Sequence, residues 1–156
     1  MDHNRAAAGL NEQAYFELLM ANNTKLIEAN IATYLEPLVA GYPGTEFYLF
    51  YPPYSFAEDY AHAELSAVSL AYKQLLRSKI EALAARHPNV RIFDFQNDVA
   101  QRRNIDGYWD LLHYVHQEAN RIDRYMATHD GYPTNPALLQ PETILQIGDP
   151  FAGCGS

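Results

Sequence analysis

Five polar side chains with catalytic potential crowd one stretch, "DGYWDLLHYVHQEANRIDRYM" at residues 106–126: Asp106, Asp110, His113, His116 and Glu118. Asp110 and His113 stand in an Asp-x-x-His spacing. In a tight turn, a carboxylate three residues before a histidine can reach back to the ring Nδ1–H. That contact fixes the tautomer and leaves Nε2 free as a general base. The spacing alone equally describes a solvated or helix-capping pair. A metal site is a further option, because His113 and His116 with Asp110 or Glu118 offer imidazole and carboxylate ligands suited to zinc or iron. His62 or His129 would then have to approach from elsewhere in the chain. The simpler assignment makes His116 and Glu118 the start of an amphipathic helix that carries Ala119, Ile122, Tyr125 and Met126 inward. No metal and no cofactor is expected.

A histidine–aspartate pair needs a nucleophile to activate. Residues 1–40 contain no serine. Ser66, Ser69 and Ser78 fall in a predicted helix, and Ser156 ends the chain. Ser55 alone follows a predicted strand, where it suits a cap for the next turn. Cys154 is the single cysteine, which leaves no intrachain disulfide and no thiolate zinc cluster. Gly148-Asp149 and Gly153-x-Gly155 lack the strand-before, helix-after context of a phosphate loop.

Charge narrows the partners. Eleven Lys and Arg against 19 Asp and Glu give a formal charge of −8, broken only by the short Arg102-Arg103 pair. Such a surface repels nucleic-acid backbones and anionic membranes but not a neutral or sugar-like ligand. No apolar run has the length of a signal peptide or a membrane span. Localisation stays open: cytoplasmic, or periplasm or cell envelope for a longer bacterial relative. Twelve tyrosines suit a core with wet edges or a polar ligand groove.

The elements that must position these residues follow from periodicity. Ala14, Tyr15, Leu18 and Leu19 make one helical stripe; Ile27, Ile31, Tyr34, Leu35 and Leu38 make a second. Asn22, Asn23 and Thr24 predict a break and an N-cap between them. Pro37 predicts a kink or restart, and "GYPG" an end. "TEFYLFYPPYS" is apolar on both faces from Phe47 to Tyr51, the pattern of a buried parallel strand stopped by Pro52-Pro53. Residues 63–86 predict a long helix with Leu65, Val68, Tyr72, Leu75, Leu76, Ile80 and Leu83 on one face, its first turn made acidic by Glu58, Asp59 and Glu64. "VRIFDFQ" predicts a second strand.

Strand, helix, strand implies a parallel crossover, with chemistry gathered at the carboxyl ends of the strands. "PPYS" and "DFQND…DGYWDLLH" both lie just after such ends. Two strands cannot cover their own faces and edges. A short helix from Pro141 to Ile147 is the one element predicted in the Pro/Gly-rich tail, residues 133–156.

"FYLFYPPYSFAEDY", the long helix, "NVRIFDFQ" and "NIDGYWDLLHYVHQEANRIDRYM" together resemble the second half of SGNH/GDSL-type hydrolases. They are most similar to the cell-surface-polysaccharide-associated subgroup, in which a strand ends in Pro-Pro-Tyr-Ser and Asp-x-x-His-Tyr follows downstream. The resemblance covers roughly residues 22 to 132. It implies a three-layer, flavodoxin-like α/β parallel sheet flanked by helices, with residues 1–132 as the incomplete C-terminal part. It implies Asp110 and His113 as acid and base of a Ser-His-Asp triad. Pro53, Tyr54 and Ser55 would border the same cleft, and Tyr108, Trp109 and Tyr114 would line a sugar-binding lip. It implies an acylated carbohydrate or small ester as the substrate class.

The chain departs from that family in its nucleophile. The Gly-Asp-Ser or Gly-Ser-Ser turn expected near the start of the domain is missing; "GDP" at 148–150, with proline in the serine's place and at the wrong end of the order, is a coincidental likeness. A partial triad in a truncated domain is the first expectation; a non-catalytic binding or assembly module is the alternative. Either a missing N-terminal half or a second copy would cover the sheet edge.

Overall fold

The computed structural model describes residues 11–65, 67–110, 112–132 and 135. Helix α1 spans Glu12–Asn30, and the Asn11 side chain caps it by accepting from Ala14 N–H at 2.8 Å. The break expected at Asn22–Thr24 does not occur. Thr24 turns its hydroxyl back onto the Met20 carbonyl at 2.8 Å instead of capping a new helix. Burial of Ile27 and the Glu28–Lys79 ion pair to helix α4 (Ala67–Arg86) hold the continuous helix in place.

Pro37 acts as expected. It has no N–H, and its ring clashes with the carbonyl four residues back. The chain widens into a π-helical turn at Ile31–Leu35, in which Glu36 N–H reaches the Ile31 carbonyl, before helix α2 runs over Glu36–Gly41. The expected stripe rotates with that turn: Val39 is buried, whereas Tyr34 and Leu38 face solvent.

Strand β1 (Phe47–Tyr51) pairs in parallel with β2 (Val90–Asp94), in register from Phe47 opposite Val90 to Tyr51 opposite Asp94. Between them lie helix α3 (Phe56–Leu65) and α4, two helices where a single long one was expected. Tyr72, placed on the inward face by periodicity, is exposed. The molecule is therefore mixed α/β with a two-stranded parallel sheet among the described residues.

One sheet face packs Phe47 and Leu49 onto Val39, Leu83 and Val90, with Ile31 and Leu35 alongside. The other face carries Phe93, covered by helix α6 (His116–Thr128) through Ile122, Tyr125 and Met126. β1 is not buried on both faces. Tyr48 and Phe50 are 45% and 43% exposed, because α6 covers the β2 side of that face. A run apolar on both faces gives no sign of which face loses its cover.

After β2 the chain turns through Phe95–Asn97, the short helix α5 (Val99–Arg103) and a turn at Ile105–Gly107. Beyond α6, Tyr132 forms a parallel bridge to Phe93: its N–H donates to Ile92 and its carbonyl accepts from Asp94. Gly131 permits that approach, since a Cβ there would stand 3.1 Å from the Ile92 carbonyl oxygen. The predicted helix at Pro141–Ile147 lies outside the described residues. No helix among those described is long and apolar enough to cross a membrane.

Candidate active site

The dyad sits at the tip of a small hairpin. An antiparallel bridge joins Tyr108 to Tyr114, Trp109 N–H donates to His113 carbonyl at 2.8 Å, and Val115 N–H donates to Gly107 carbonyl at 2.9 Å. Asp110 does two jobs within the loop. Its Oδ1 accepts from the backbone N–H groups of Leu112 and His113, both at 2.8 Å, while Oδ2 lies 2.6 Å from His113 Nδ1. The backbone and side chain of His113, then the Leu112 N–H, hold the Asp110 carboxyl at about 2, below its usual 3.8. Each of these partners favours the ionised form. A carboxylate so held takes the Nδ1 proton side of the ring and leaves Nε2 as acceptor. His113 is 72% exposed and Asp110 57%, so Nε2 is open to an incoming group.

The hairpin is rooted in the core on both sides. Tyr114 packs against the Phe93, Phe95 and Ile122 cluster, and Tyr108 is buried with its hydroxyl donating to the Pro53 carbonyl. Burial raises the Tyr108 hydroxyl above its ordinary range, which keeps it a donor. Burial likewise raises Tyr114, with smaller contributions from Asp123, Glu118 and Tyr54. The structure thus ties Pro53 to Tyr108 by a hydrogen bond and sets Tyr108 opposite Tyr114 in the hairpin that carries the dyad. Tyr108 and Tyr114 are packing residues, however, and cannot both form an open lip. Trp109, next to Asp110, is 79% exposed. Tyr54 also lines a groove of about 530 Å³ with Tyr51, Leu76 and Ile80 along β1.

Ser55 is 2% exposed and sits at the start of α3, where its hydroxyl accepts from Glu58 N–H at 3.3 Å. It caps a helix and does not present a nucleophile. Ser78 donates to the Leu75 carbonyl on α4. Ser66, Ser156, Cys154 and the Gly148–Pro150 turn lie outside the described residues.

Two of the side chains offered to a metal are engaged elsewhere. Glu118 is buried and accepts from Arg121 Nε through both carboxylate oxygens, at 2.8 and 3.0 Å. His129 stacks on Tyr125 at 3.8 Å, with Nδ1 3.0 Å from that residue's carbonyl oxygen. Among the described residues no three histidine, cysteine or acidic side chains converge.

A buried polar network beneath the site went unread in the sequence. Arg102, taken as part of a surface basic pair, is fully buried; it donates to the Tyr54 and Gln96 carbonyls at 2.7 Å and pairs with Asp59. Asp59 was expected only to favour a helix N-terminus. It is fully buried and also takes Lys73 at 2.7 Å. Arg77 donates to Asp94 at 3.1 Å and to Gln96 at 2.7 Å, and Gln96 donates to the Pro52 carbonyl at 2.9 Å. Apart from Arg102–Gln96, these pairs stand 14 to 48 residues apart, so no local spacing announces them. Comparison with protein-family models, curated proteins and solved structures finds no match for this chain.

Proposed function

We propose that Asp110 and His113 form the acid/base part of a Ser-His-Asp acyl-transfer centre in an SGNH-like domain of flavodoxin-like, three-layer architecture. One observation carries the proposal: Asp110 Oδ2 stands 2.6 Å from His113 Nδ1 in a hairpin that leaves the rest of the imidazole in solvent. His113 takes a proton from the attacking hydroxyl through Nε2 and returns it to the departing alcohol, while Asp110 fixes the ring and stabilises the imidazolium. The substrate is an acyl ester, with a carbohydrate alcohol the class suggested by the resemblance and by the exposed Trp109 face. The nucleophile comes from outside the described residues. A strand from an N-terminal half or a second copy pairs with the open β1 edge.

A non-catalytic binding module is the second reading, favoured by the burial of Ser55 as a helix cap. Hydrolysis of p-nitrophenyl acetate, compared between the chain and His113→Ala, separates the two. The acyl-transfer reading expects a slow rate that falls with His113→Ala; equal rates leave the binding module.

A further inference from the structure

The loop after β1 has an unusual hydrogen-bonding problem. Pro52 and Pro53 have no N–H, so this segment cannot join a regular ladder; Tyr54 N–H turns back onto the Pro52 carbonyl at 2.8 Å, and the carbonyls take further donors from elsewhere. Three consecutive carbonyls find them in side chains from the segment after β2. Gln96 Nε2 serves Pro52 at 2.9 Å, the Tyr108 hydroxyl serves Pro53, and Arg102 Nε serves Tyr54 at 2.7 Å. Gln96 and Arg102 belong to the buried network and fix the loop to the sheet. Only Tyr108 belongs to the hairpin that carries the dyad.

We propose that Tyr108 is a positioning residue, its hydroxyl a latch that fixes the hairpin of Asp110 and His113 to the loop after β1 through the Pro53 carbonyl. The inference rests on the acyl-transfer reading for its catalytic consequence, but not for the latch itself. Tyr108 acts through its hydroxyl by pinning one strand of the hairpin that carries Asp110 and His113. The opposite strand is already held by Tyr114 in the aromatic cluster. Without the hydroxyl bond the hairpin pivots about Tyr114, and the dyad keeps its internal contact while losing its place against the loop. Small displacements of a catalytic group cost rate steeply, on the order of tenfold or more.

Tyr108→Phe keeps the buried ring and removes only the donor. Amide hydrogen exchange on the whole chain then reads the latch directly, because Trp109 and Val115 N–H close the hairpin. Their exchange accelerates about fivefold in Tyr108→Phe, the scale of one lost hydrogen bond, while β2 amides keep their wild-type rates. Unchanged hairpin exchange, or acceleration spread evenly over the chain, overturns the latch. Where the wild type shows a His113-dependent ester rate, Tyr108→Phe lowers it about tenfold with the Nδ1-protonated tautomer retained, and an unaltered rate overturns the positioning role. A wild type with no His113-dependent rate removes the acyl-transfer reading instead, and the exchange result alone then decides the latch.

Discussion

Asp110 carries more of the site than its exposure suggests. One carboxylate closes the turn through two backbone N–H groups and orients the imidazole through its second oxygen. Its folded value of about 2 lies below the ordinary 3.8, so the proton binds more weakly in the folded state. The ionised carboxylate therefore stabilises the turn at every pH above about 4, and that contribution is lost as the pH falls toward 2. A carbon-13 titration of the Asp110 carboxyl should give a midpoint near 2, with the Leu112 and His113 amide shifts moving together with it. A midpoint near 4 would mean that the turn does not hold. Asp110→Asn should keep the backbone bonds through its amide oxygen while turning an N–H toward Nδ1. The ring then carries its proton on Nε2, and a His113-dependent ester rate should fall by at least about a hundredfold, as wrong-tautomer variants do. The Asp-x-x-His spacing made this pair legible. The role of Tyr108 was not, because a tyrosine beside a tryptophan reads as a ligand lip until its hydroxyl is seen on a proline carbonyl 55 residues away.

At the scale of elements, the hairpin owes its place to two different kinds of support. On the aromatic side, Phe93 lies at the centre of Phe95, Tyr48 and Tyr125, with ring centroids 5.4 to 6.4 Å apart. Phe93→Ala should cost about 3–5 kcal/mol by opening a cavity that the rigid rings cannot fill. On the polar side, Asp59→Ala strands the buried Arg102 guanidinium and should cost about 3–5 kcal/mol, both losses measured by urea unfolding. Near-wild-type stability in Asp59→Ala would show that Arg102 finds another partner. α6 was legible because its apolar period is strong and one face dominates; β2 was legible as a short apolar run bounded by polar residues, and α4 as a long run without helix breakers. The continuity of α1 was not. Asn22-Asn23-Thr24 is a local capping signal, and it is overridden by packing against α4, which lies some 50 residues downstream.

At the whole-molecule scale, β1 pairs only with β2 among the described residues. Phe47 N–H donates to Asn89 on the β2 side, so the backbone groups of Tyr48 and Phe50 point to the other edge. Their side chains leave an aromatic face half uncovered, and β1 carries neither a Lys nor a Pro to discourage pairing. Sedimentation should show the 17.7 kDa chain self-associating as its concentration rises. Phe50→Lys should weaken that association about tenfold; a wild type that stays monomeric would leave the edge without this partner. The parallel pairing was legible from strand–helix–strand order, but the exposure was not, since residues 47–51 are apolar on both faces.

The central claim is that Asp110 holds His113 with Nε2 free to act as base. Nitrogen-15 NMR of the histidine ring at a pH where it is neutral tests it most directly. The proton should reside on Nδ1 in the wild type and move to Nε2 in Asp110→Asn. A ring that is protonated on Nε2 in the wild type, or one whose tautomer ignores the loss of Asp110, would contradict it.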